Sequence, residues 1–214
     1  MFVLSDTPSL ANRFLREMRD IRIQNDRMRF RRNLERMGEI MAYEISKSFQ
    51  YSSEVIETPL TSTSTLTQTE QPVIISVMRA SLPFYTGMLN YFDQAESGFI
   101  GAFRDESESG EISVQLGYHA SPSVEGRVII LADPMLATGK SLVESIQTIL
   151  LHGTPKHIHI AAVIAAPEGI QNLKDSISFS YSLWLGAIDD KLNDQSYIVP
   201  GLGDAGDLAF GPKL

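Results

Sequence analysis

The sequence predicts an α/β fold: a doubly wound, mainly parallel sheet flanked by helices, with N-terminal helices and a small β excursion. Three observations carry this. Strand-like and helix-like stretches alternate from residue 72 onward. The strand-like stretches PVIISVM, RVIILAD and HIHIAAVIAA are apolar throughout, as strands covered on both faces must be. The chain has 214 residues, 43% hydrophobic and 21% charged, enough for one sizeable α/β unit but hardly for two. Composition also excludes several classes. No apolar stretch approaches the ~18–20 residues needed to cross a bilayer, and the N-terminus lacks the charge-then-apolar order of a signal peptide. Zero cysteines exclude a disulfide scaffold, thiolate zinc sites and a cysteine nucleophile, and fit a reducing cytoplasm. A net charge of −8 argues against a general nucleic-acid footprint.

The elements follow in order, within a single expected domain over 1–214: helices in 9–49, the excursion in 54–70, an α/β core in 72–190 and a C-terminal loop in 193–214. Residues 9–20 and 26–49 read as helices. In the second, Phe30, Leu34, Met37, Met41 and Ile45 recur at steps of three or four, and Asp26 suits its N-cap. Nine arginines against four acids between Arg13 and Arg36 give a local +5, so the rest carries −13. The expected use is the polar face of two packed helices, ahead of an RNA-binding arm, because the apolar spacing is helical throughout. Val55–Thr58 and the threonine-rich TSTSTLTQTE suit a small, exposed β excursion.

After the strand PVIISVM comes the helix LPFYTGMLNYF, with Pro83 in its first turn. GFIGAF is a strand expected to end at Arg104. DESESGE reads as an acidic loop, mobile by composition, with ISVQLGY returning from it as a strand. Then come strand RVIILAD, helix SLVESIQTILLH, strand HIHIAAVIAA, helix PEGIQNLKDS and strand FSYSLWLGAI. Trp184 is expected in the core. His157 and His159 share a strand face, with no third metal ligand near in sequence.

Ligands of open parallel sheets sit beyond the carboxyl ends of the strands. Three ends carry unusual text: Met78-Arg79-Ala80-Ser81, Phe103-Arg104-Asp105 and Ala132-Asp133-Pro134. The last continues as DPMLATGKS into a helix, a turn whose N–H groups and the Thr138 and Ser141 hydroxyls suit a phosphate. Asp133 at the strand tip suits sugar hydroxyls. A Walker A loop fails because Pro134 stands where its first glycine is required. Gly201-Leu202-Gly203-Asp204-Ala205-Gly206 matches G-x-G-x-x-G, but no βαβ unit surrounds it, so a dinucleotide fingerprint fails too. What stays is a glycine-dense loop able to bring its backbone against a flat ligand. Ser81 lacks the context of a hydrolase nucleophile.

At LADPMLATGKS the chain resembles the type I phosphoribosyltransferases. MRAS, the Phe-Arg-Asp strand end, VIAAPEGI and above all YIVPGLGDAGDLAFG narrow the resemblance to the uracil phosphoribosyltransferase family, from about residue 8 to the C-terminus. It implies transfer of the phosphoribosyl group of 5-phosphoribosyl 1-pyrophosphate to uracil, giving UMP and pyrophosphate, with Mg2+. It implies that Asp133, Pro134, Met135, Leu136, Ala137, Thr138, Gly139, Lys140 and Ser141 hold ribose and 5′-phosphate, and that Arg79 and Arg104 face the pyrophosphate. Uracil would meet main-chain groups of Ile198, Gly203, Asp204 and Ala205. Mg2+ would be carried by the substrate, with Asp204 the side chain placed to touch it. A GTP effector and a homodimer or larger assembly are further implications. A phosphoribosyltransferase for another base, or a nucleotide-sensing regulator on this scaffold, stands as the alternative. Three departures from the family text are Lys140 for a second glycine, Ser81 and Pro83 for the glycines of R-A-G-L-G, and ISVQLGYHA for the usual proline-aromatic-lysine text.

Overall fold

The computed structural model describes residues 1–106 and 112–213, with side chains outside 102–116. Its strands are β1 (Phe2–Val3), β2 (Tyr51–Glu57), β3 (Ser62–Gln68), β4 (Val73–Met78), β5 (Glu96–Glu106), β6 (Ile112–Ala120), β7 (Val128–Ala132), β8 (Met135–Leu136), β9 (His157–Ala165), β10 (Tyr181–Ile188), β11 (Lys191–Leu192) and β12 (Ile198–Val199). Its helices are α1 (Leu10–Arg19), α2 (Arg27–Ser46), α3 (Ser81–Leu89), α4 (Lys140–Leu151), α5 (Pro167–Ser176) and α6 (Ala205–Phe210).

The central strands are parallel and buried on both faces, in keeping with their continuous apolar text. The main sheet runs β1-β10-β9-β7-β4-β5-β6, with only β6 antiparallel and β8 added beside β9. Residues of α1, α2, α3 and α6 join one apolar cluster on one face, and those of α4 and α5 join another on the opposite face. From β4 the chain winds outward through α3 to β5, and from β7 it winds the other way through α4 to β9. The β4/β7 boundary is therefore the topological switch point, where such sheets bind ligands.

The N-terminal helices form where the caps and stripe place them. Ser9 opens α1 with a capping box: its hydroxyl accepts from Ala11 N–H, and the Asn12 side chain accepts from its own N–H. Asp26 caps α2 through the Arg29 N–H. The stripe Phe30, Leu34, Met37, Met41, Ile45 is fully or almost fully buried. The arginine face pairs within the fold: Arg13 and Arg29 flank the buried Glu17, Arg16 and Arg22 hold Asp20, and Arg32 holds Glu35. The β excursion is the ribbon β2–β3, antiparallel and exposed along nearly its whole length. Trp184 is half-buried, packed on Phe2, and its Nε1–H donates to His159 Nδ1 at 3.0 Å.

Three expectations need correction. The strand expected to end at Arg104 runs on to Glu106, because β6 offers it an antiparallel partner past the end of β4. Asp105 and Glu106 of the expected acidic loop thus belong to β5, and residues 107–111 lie outside the described residues. Met135 and Leu136, expected in an open turn, form β8. β9 extends to Ala165 while β7 ends opposite Ala161, so the end of β9 has backbone left to pair. The glycine-dense C-terminal loop ends in a helix, α6, which Asp204 caps through the Asp207 N–H at 2.9 Å.

Candidate active site

The phosphate-type turn leaves the tip of β7. Asp133 N–H donates to Ala161 O, and the Asp133 carboxylate accepts the Met135 N–H at 3.2 Å, so the acid shapes its own turn. Pro134 O accepts from the Val163 and Ile164 N–H groups, and Leu136 O from Ala166 N–H. Pro134, Leu136 and Ala137 are buried, so their side chains face the core and only their backbone borders the edge. Thr138 and Ser141 are half-buried and Lys140 is exposed.

Gly139 makes the step into α4 at φ 78°, in the left-handed region. A Cβ there would also stand 2.8 Å from Gly169 O. Both constraints select glycine, and the chain then enters a helix N-terminus whose first-turn N–H groups suit an anion. The turn rests on α5: Asn172 Nδ2–H donates to Thr138 O at 2.8 Å. No motif in the sequence marks Asn172, and only the packing of α5 beside the turn gives it this contact.

Arg79 follows β4 and lies across the switch point from Asp133. Its Nη2–H donates to Asp207 Oδ1 at 3.0 Å and to Gly211 O at 3.2 Å, while its Nε is buried with no partner. The arginine at the β4 tip therefore reaches the C-terminal helix. Ser81 tucks its hydroxyl onto Val77 O and beside Ser76 Oγ at the start of α3. Arg104 lies in β5 opposite Val114, and its side chain is outside the described residues.

The C-terminal loop begins with the small hairpin β11–β12 and a cis Val199–Pro200 bond. Gly201 and Gly203 take φ 64° and 89°. At Gly201 a Cβ would stand 2.0 Å from Ile198 O, so no side chain fits. Ile198 and Ala205 are buried, and Gly203 is exposed. Asp204 spends one oxygen on the α6 cap, and its other lies 3.9 Å from Lys213 Nζ. Among the described residues no group of three or more histidine or acidic side chains could hold a metal. Asp133 and Asp204 are oxygen donors of the kind Mg2+ takes, each already accepting a backbone N–H. No described helix is long and apolar enough to cross a membrane.

This geometry has counterparts in known proteins. A family model described as uracil phosphoribosyltransferase matches residues 5–212. A protein of that name from Porphyromonas gingivalis is 46% identical over 206 residues, covering 96% of this chain and 95% of its own. Another from Pyrococcus furiosus is 36% identical, covering 100% and 91%. Among solved structures, the AQ2163 protein of Aquifex aeolicus is 29% identical with a TM-score of 0.85 over 96% of both chains.

Proposed function

The chain belongs to the uracil phosphoribosyltransferase family, and on that premise we propose how its residues divide the work. The reaction moves the phosphoribosyl group of 5-phosphoribosyl 1-pyrophosphate to uracil, making UMP for pyrimidine salvage. A bond forms between the base nitrogen and C1′, the bond from C1′ to the diphosphate oxygen breaks, and the nitrogen loses its proton. The protein has two tasks: placing the base against C1′, and stabilising charge on the leaving group.

In this reading Asp133 takes the ribose hydroxyls, and Thr138, Gly139, Lys140 and Ser141 take the 5′-phosphate. Pro134 to Ala137 carry the backbone between them. Arg79 and Arg104 serve the diphosphate. Main-chain groups of Ile198, Gly203, Asp204 and Ala205 read the edge of uracil. Mg2+ would be carried by the substrate, with Asp204 the side chain proposed to touch it, and would supply charge neutralisation when bound. The observation that carries the reading is the Arg79 contact with Asp207 and Gly211. It brings the C-terminal segment to the tip of β4, beside the β7 tip where the phosphate turn starts.

A homodimer or larger assembly belongs to the proposal. The β2–β3 ribbon exposes Val55 and Leu66 by 72% and 70%, apolar surface that a lone two-stranded ribbon does not sustain. A monomer by light scattering would remove this part. A cytoplasmic location accords with a chain that needs no oxidising compartment. The deciding experiment is pyrophosphate release with uracil, orotate, xanthine, hypoxanthine or no base. Release with uracil alone is expected. Release with another base would reassign the substrate, and none with any base would favour a regulator.

A further inference from the structure

We propose that Arg19 and Asp189 are positioning residues for uracil, acting through the two peptide groups of Gly201. This rests on the reading of residues 198–205 as the base loop. Asp189 directly follows β10, and its N–H donates to Ala165 O at 2.8 Å, which fixes it to the end of β9. Its carboxylate receives Arg19 in a two-pronged pair, Nη1 to Oδ2 at 2.7 Å and Nη2 to Oδ1 at 2.5 Å. Asp189 Oδ2 also accepts the Gly201 N–H at 2.8 Å, and Arg19 Nη1–H also donates to Gly201 O at 2.9 Å. The two side chains thus bond to each other and to both polar groups of one glycine. The next carbonyl, Leu202 O, accepts from Gln24 Nε2–H at 3.2 Å. Two successive backbone carbonyls ahead of Gly203 are tied to α1 and the turn after it.

The energetics favour positioning over stability. The Asp189 side chain is 4% exposed and that of Arg19 24%, so pairing them costs much of the solvation each had in water. Buried pairs of this kind give little net stability against an apolar replacement, and their best-supported use is to specify one geometry. The planar guanidinium fork is suited to hold two acceptors in one fixed plane. A loop that reads a base with backbone groups has no rotamers to adjust. Its selectivity depends on where the peptide planes sit, and errors of an ångström are costly there.

The test compares Arg19→Lys with the apolar double replacement Arg19→Met/Asp189→Leu in the whole enzyme. The double variant removes the charges together but leaves the Gly201 N–H and C=O without these partners, so its melting temperature should fall by several degrees while the enzyme stays folded. We expect both variants to raise KM for uracil about tenfold or more, with KM for 5-phosphoribosyl 1-pyrophosphate within about twofold and the lysine variant less affected. A double variant with normal KM for uracil overturns the proposal, as does a parallel rise in both KM values. Amide hydrogen exchange of the parent with and without UMP separates the two layers. Protection at Gly203 to Ala205 upholds the base loop. Its absence overturns the loop reading, and the positioning proposal with it, whatever the variants show.

Discussion

The turn proposed for the phosphate and the loop proposed for the base stand at the same edge of the sheet, yet they are held differently. The turn at 133–141 is shaped by near neighbours: Asp133 bonds to Met135 N–H, Thr138 Oγ1 to Lys140 N–H, and α5 supports it from 34 residues away. The loop at 198–205 is tied to Arg19 and Gln24 across 182 and 178 residues and to Asp189 across 12, and the segment after it is tied to Arg31 and Arg79 across 178 and 128. A phosphate asks for a helix N-terminus and a few N–H groups, which one strand-turn-helix unit supplies by itself. A planar base asks for an edge held at a fixed place relative to C1′, and a glycine-rich segment cannot hold itself there.

The largest effects should come from the two glycines, and they test whether the regions are separable. Gly139→Ala sets a Cβ 2.8 Å from Gly169 O at a positive φ. It should weaken both 5-phosphoribosyl 1-pyrophosphate and UMP by about 10²-fold in calorimetry. Gly201→Ala, with its Cβ 2.0 Å from Ile198 O, should raise KM for uracil by about 10²-fold while donor binding stays within about twofold. Equal loss of both ligands in both variants would break the comparison.

Asp204→Asn asks whether the acid is more than a cap. Asparagine caps helices as well as aspartate, so the melting temperature should hold. Turnover should fall by about 10²-fold if the charge serves the metal-bound donor. Normal turnover would leave Asp204 the cap of α6 and nothing else. A smaller change is expected of Asn172→Ala, which removes the donor to Thr138 O. Losing one such bond is worth about 1 kcal/mol, so KM for the donor should rise a few-fold, with KM for uracil unmoved. An unchanged donor KM would show that the turn needs no support from α5.

The smallest effect on activity belongs to a region remote from both loops, at the starts of β9 and β10. His159 is buried beside Phe49 and His157 and accepts the Trp184 N–H, and burial pushes its pKa down to about 4. The unfolded chain, near the ordinary 6.5, binds a proton that the folded state refuses. This contribution is complete above pH 6.5 and is lost as pH falls toward 4, on the order of 3 kcal/mol in all. Denaturant midpoints for His159→Gln should fall less steeply over that range than those of the parent. Identical acid limbs would assign the loss to other groups.

What the sequence determined by itself is whatever depends on near neighbours. The apolar runs set the buried strands, the stripe from Phe30 to Ile45 set α2, Asp26 set its cap, and the text from Asp133 to Ser141 set a turn into a helix. Arg19 was one arginine among nine, and helical spacing says which way a helix faces without saying what its polar ends will touch. Asp189 does carry a local signal, an acid directly after a strand at the edge where ligands bind. The length of β5, the β8 pairing and the reach of Arg79 to Asp207 depend on which strand or helix lies alongside. Those choices were left to the tertiary structure, because the partners of an unpaired carbonyl or guanidinium are decided by proximity in space, and 170 residues separate Arg19 from Asp189.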